Sequence, residues 1–69
     1  MNYFDMYKDV WIFHKKYIDC ITYTKEFWDA VIEDINRLGK KYGDCKFIRN
    51  LLVNEFAEFE RVYNEEKKG

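Results

Sequence analysis

YFDMYKDVWIFHKKYIDCI, residues 3–21, decides the fold. Its apolar positions recur at helical spacing through Tyr3, Tyr7, Val10, His14, Tyr17 and Ile21. Met6, Phe13 and Cys20 flank that row on one side, and Phe4, Trp11 and Ile18 on the other. Asp5, Lys8, Asp9, Lys15, Lys16 and Asp19 fall opposite. An apolar stripe of this period backed by charge is an amphipathic helix that must bury one face against other elements.

The rest of the chain supplies those elements. ITYT (21–24) breaks the pattern, and Thr24 is placed to cap a second helix, with Tyr23 stapled against Trp28. Helix 2 offers Phe27, Trp28, Val31, Ile32, Ile35, Leu38 and Tyr42 as its buried set. Acidic residues crowd its first half and basic ones its last, as the helix dipole favours. Gly43 suits the left-handed position past a helix end. Asp44 is read as the cap of helix 3, which offers Ile48, Leu51, Leu52, Phe56, Phe59, Val62 and Tyr63; EEKKG (65–69) is expected to fray. Two short turns therefore predict an all-α, antiparallel up-down-up three-helix bundle. Its helices span about 3–21, 25–42 and 45–66, within one domain covering 1–69.

A 69-residue chain buries only about 60% of the surface that its unfolded form exposes. It compensates with large side chains: aromatics are 20% of the residues. That is more than a small core hides, and surplus Tyr and Trp favour binding surfaces. Serine, glutamine and proline are absent, which removes any serine nucleophile and any flexible linker. The net charge of −1 calls for neither direct nucleic-acid contact nor an anionic membrane. No run approaches the roughly 20 apolar residues of a membrane span. The N-terminus lacks a signal-peptide layout, and two cysteines suggest no disulfide framework, so a cytoplasmic location is the default expectation. Cys20 and Cys45 fall at opposite ends of parallel helices, too far apart for a disulfide, and are expected as free thiols. No metal spacing or phosphate-binding glycine loop is present, and no cofactor is implied.

Two polar residues interrupt the apolar arcs. His14 lies within the arc of helix 1, and Glu55 within that of helix 3, between Leu51 and Phe59. Helices 1 and 3 run parallel in such a bundle, and both residues stand about halfway along. A buried carboxylate or imidazolium without a partner is costly, so the two are expected to form a buried polar pair that fixes helix register. The second nitrogen of His14 would then take a tyrosine hydroxyl or a backbone group. A catalytic dyad, a metal ligand pair and a pH sensor are the alternatives. The first lacks a nucleophile and cleft, and the second lacks further ligands, so no catalytic or metal residues are assigned.

Charge divides between the ends. Six basic and three acidic residues gather at the end holding the second turn, leaving six basic and ten acidic residues at the other. The acidic end offers Glu26, Asp29, Glu33, Glu58, Glu65 and Glu66 as docking residues for a basic partner. Ile12 sits apart, an isoleucine within the charged face of helix 1, and is a further interface candidate. Helix 3 exposes too many glutamates for a recognition helix on DNA.

The run Trp11, His14, Lys15, Lys16, Tyr17, then FWDAVIEDI (27–35), KKYGD (40–44) and FIRNLLVNEFAEFER (47–61), resembles small helical proteins of phages and mobile elements of gut Firmicutes. The resemblance implies a non-enzymatic accessory protein that binds and blocks a host enzyme, as anti-CRISPR inhibitors do, acting in the host cytoplasm. Its partner would be another protein, a basic nucleic-acid enzyme being the sharpest form. A self-associating structural or regulatory module, in which a homodimer is the partner, is the other reading.

Overall fold

The computed structural model describes residues 2–22 and 24–68, with side chains through Glu66. Its described residues form three helices and no strand: α1 (Tyr3–Ile18), α2 (Lys25–Lys41) and α3 (Lys46–Lys68). All three pack against one another as a three-helix bundle. Contacts fix the directions. Asp9 meets Lys41 while Tyr17 meets Ala30, so α1 and α2 are antiparallel. Tyr3 meets Phe47 while Phe13 meets Phe59, so α1 and α3 are parallel.

Local chemistry sets the helix ends. The Asn2 side chain caps α1 by accepting from the Asp5 N–H, and Thr24 caps α2 by accepting from Phe27. Tyr23, the expected staple for Trp28, lies outside the described residues. α1 stops at Ile18, three residues short of the expected end, because the chain must turn back for Thr24 to cap α2. The Thr22 hydroxyl meets that of Thr24 at 2.9 Å within the turn.

The second turn closes as a Schellman motif. The Asp44 N–H reaches the Gly39 carbonyl at 2.7 Å, and the Gly43 N–H reaches that of Lys40 at 3.1 Å. Gly43 is left-handed, with φ 68°, and so is Asp44, with φ 53°. Asp44 is therefore part of this turn and not the cap of α3. α3 begins one residue later than expected, at Lys46. α3 also stays helical through Lys68, beyond the expected frayed end; Gly69 lies outside the described residues.

The core is Met6, Val10, Phe13 and Tyr17 of α1, Phe27, Val31 and Leu38 of α2, and Ile48, Leu52 and Phe59 of α3. On α1 this face is rotated by about 50° from the expected row, toward Met6 and Phe13. Tyr3 and Tyr7 are exposed as a result, and His14 moves from the centre of the face to its edge. Ile32, expected in the core, is exposed as well.

Candidate functional site

His14 and Glu55 do meet. His14 Nδ1 lies 2.6 Å from Glu55 Oε2 across the α1–α3 seam. The pair is not sealed, however: the two side chains are 26% and 22% exposed. The rotation of α1 explains the correction, since it carries His14 to the rim of the seam. Trp11 stacks on the imidazole, with centroids 5.6 Å apart and planes 12° from parallel, and Phe59 lies 6.0 Å away on the core side. Glu55 orients the ring, and two aromatics clamp it. The Tyr17 hydroxyl, one turn along α1, does not join it and gives its hydrogen to Asp34 at 2.6 Å.

That last contact belongs to a network invisible in the sequence reading. Asp34 also accepts from Lys16 at 2.8 Å and lies 3.5 Å from Arg37. Burial alone would raise the Asp34 carboxyl, but hydrogen bonds from Lys16 and Tyr17 outweigh it and hold it below the ordinary value. Burial and the neighbouring Asp34 carboxylate push the Tyr17 hydroxyl up. A second network ties the other end of α1 to α2: Asp9 accepts from Lys41 at 2.7 Å and from the Tyr42 hydroxyl. Lys41 and then Tyr42 lower the Asp9 carboxyl. The available signal was the tyrosines, since a phenol on an apolar face needs an acceptor.

The predicted docking carboxylates do not make one bare patch. Arg61 holds Glu58 at 2.6 Å and Glu65 at 2.8 Å, and Lys25 holds Asp29 at 3.1 Å. Arg61 keeps the Glu58 carboxyl below its usual range. Glu26, Glu33 and Glu66 are exposed and in no ion pair among the described residues. Glu26, Glu65 and Glu66 share one end, because Trp28 in α2 packs on Tyr63 of α3. Glu33 instead sits at the middle of α2.

The larger feature is apolar. Phe4, Tyr7 and Trp11 line the outward side of α1, with Phe4 72% and Trp11 57% exposed; Ile12 is exposed too, on the charged side of the helix about a quarter-turn away. Tyr3 and Tyr7 brace this strip by edge contacts to Phe47 at 4.7 and 5.5 Å. Lys15 Nζ stands 5.7 Å above the Trp11 ring. Both cysteines are free, Cys20 exposed and Cys45 half-buried. Among the described residues no three His, Cys, Asp or Glu side chains gather in a way that could hold a metal ion, and no helix is long and apolar enough to cross a membrane. No protein-family model, curated protein or solved structure matches the chain.

Proposed function

We propose that this chain is a non-enzymatic binding module that docks on another protein. The observation carrying this reading is the strip of Phe4, Tyr7 and Trp11 on the outward side of α1. Water-exposed aromatics aligned on one rigid helix supply large contact area at small entropic cost, and such patches mark interaction sites. The sharper form of the proposal is a phage-derived inhibitor of a defence nuclease. The nuclease's basic, nucleic-acid-binding surface would be steered by the acidic end, with Glu26, Glu33 and Glu66 as its uncommitted carboxylates and Asp29, Glu58 and Glu65 behind them. The ground for this form is the resemblance to phage proteins together with the charge division.

The test uses the immobilised chain, extracts of cells carrying phage-defence nucleases, and a nuclease assay on whatever is retained. The expected result is retention and inhibition of a nuclease, lost in Phe4→Ala/Trp11→Ala and weakened by salt and by Glu26→Gln/Glu33→Gln/Glu66→Gln. Retention indifferent to Phe4 and Trp11 would overturn the aromatic strip as the anchor. Affinity indifferent to salt would overturn the acidic steering.

A further inference from the structure

A second apolar surface lies on the α2–α3 seam, away from α1's outward strip. Ile32, Ile35, Val53 and Phe56 line one depression there. Ile32 is 46% and Val53 65% exposed. Nothing in the bundle's own packing requires a β-branched apolar residue in the open at position 53.

Each helix of this seam carries a stripe of matching design. On α2, Trp28, Ile32, Ile35 and Gly39 follow one another at intervals of four, three and four residues. On α3, Arg49, Val53, Phe56 and Glu60 repeat those intervals. Such spacing keeps the four positions within an arc about 60° wide. The midpoint of each stripe lies about nine residues from the turn at 42–45, so the two midpoints share a level. The common depression of Ile32, Ile35, Val53 and Phe56 shows the same. The α3 stripe has a cation at one end, an anion at the other and an apolar middle. Arg49 and Glu60 form no ion pair among the described residues. They are too far apart along one helix to reach each other, since eleven residues span about 16 Å.

A stripe of this kind is its own complement under a two-fold rotation. We propose that the α2–α3 face binds a second copy of this chain. The axis crosses both helices at the midpoints, laying α3 antiparallel on α3 and α2 antiparallel on α2. Val53 of each copy then meets Phe56 of the other, Ile32 meets Ile35, and Arg49 meets Glu60 twice. One axis satisfies both helices only because the midpoints share a level. Every neighbouring pair in the resulting four-helix layer is antiparallel, as in ordinary bundles. The bundle measures 41 by 19 by 17 Å. One long face of that size supplies about 600 Å² per copy, the low end for a specific interface.

The proposal goes beyond the docking role of α1 and stands or falls separately from it. Sedimentation equilibrium of the purified chain over a wide concentration range gives the first readout, a monomer–dimer equilibrium. Arg49→Glu places two carboxylates opposite each other at both ends of the interface. It should weaken association at least about tenfold, as should Glu60→Arg. The double variant Arg49→Glu/Glu60→Arg restores opposite charges and should recover the dimer. Val53→Glu should abolish it. These positions lie outside the core, and circular dichroism checks that each variant keeps its helices. A strictly monomeric parent overturns the proposal while leaving α1 docking intact. A dimer indifferent to Val53→Glu, or dispersed instead by Trp11→Ala, overturns the face assigned to it. A double variant no better than the single ones overturns the register.

Discussion

Breaking the His14–Glu55 contact tests the placement of α1 most directly. The pair is short, 2.6 Å, yet each side chain keeps about a quarter of its surface in water, 26% and 22%. Exposed ion pairs contribute roughly 0–1 kcal/mol, whereas orphaning one member of a sealed pair costs about 3–5 kcal/mol. Partial exposure places this pair between those limits. Glu55→Ala leaves Nδ1 without its acceptor, but water reaches the ring rim, so the loss should be about 1–2 kcal/mol. His14→Ala removes more. The stack on Trp11 and the contact with Phe59 go as well, each of a kind that contributes about 0.5–1.5 kcal/mol, so the loss should be about 2–3 kcal/mol. The double variant should then cost less than the sum, leaving a coupling energy of about 1 kcal/mol. In a domain of this size each kcal/mol moves the melting temperature by about 4–8 °C. Urea titrations followed by helical circular dichroism, with thermal melts alongside, measure all four corners of the cycle. A coupling energy of zero would refute the pairing as a stabilising contact. A Glu55→Ala loss above about 4 kcal/mol would refute the half-open seam and restore a sealed pair.

Three further outcomes follow from the geometry. Phe59→Ala, at a fully buried side chain packed on Phe13 and Tyr17, should cost about 3–5 kcal/mol and leave the chain largely unfolded, while Phe4→Ala should melt within a few degrees of the parent. Asp9 and Asp34 are both held below the ordinary carboxylate value, so their stabilisation is complete at neutral pH and disappears as pH falls through their folded values. Thermal melts should be level down to about pH 5 and drop below about pH 4, less steeply in Asp34→Asn; a flat profile to about pH 2 would contradict the networks. Gly43→Ala, at φ 68°, should lower stability by about 1 kcal/mol in a urea titration, because a Cβ is strained in the left-handed region.

The helices were legible because a 3.6-residue period survives in any amphipathic sequence, and the turns because Thr24 and Gly43 have specific backbone tasks. The rotation of α1 was not. Tyr3, Phe4, Tyr7, Trp11 and Phe13 spread apolar character over more of the helix than two neighbours can cover, so an averaged face points away from the buried one. The choice is made between helices: Phe13 and Tyr17 find Phe59 and Phe27, leaving Trp11 to stack outside on His14. The His14–Glu55 contact was readable because both residues interrupt apolar arcs at one level. Asp9 and Asp34 were missed because charge along α1 and α2 reads as solvated surface until a buried phenol is given an acceptor. Ile32 and Val53 show the converse, apolar residues that an intact bundle leaves outside.

Polar cross-links between helices are concentrated on α1. It is tied to α2 through Asp9 with Lys41 and Tyr42 and through Tyr17 and Lys16 with Asp34, and to α3 through His14 with Glu55. The α2–α3 seam carries ring contacts, Trp28 against Phe56 and Tyr63. A slip of α1 by one turn, about 5.4 Å, would displace its ring contacts. It would also break all three polar links at once. Those links therefore oppose such a slip alongside the packing. The arrangement they hold turns Phe4, Tyr7 and Trp11 outward. In the two-fold dimer, where α2 and α3 face the second copy, α1 lies on the outside of each, and the assembly presents two such strips related by the axis. A partner with two matching sites would then be held by avidity as well as by each contact, so the monomeric Val53→Glu variant should bind it more weakly though its strip is intact.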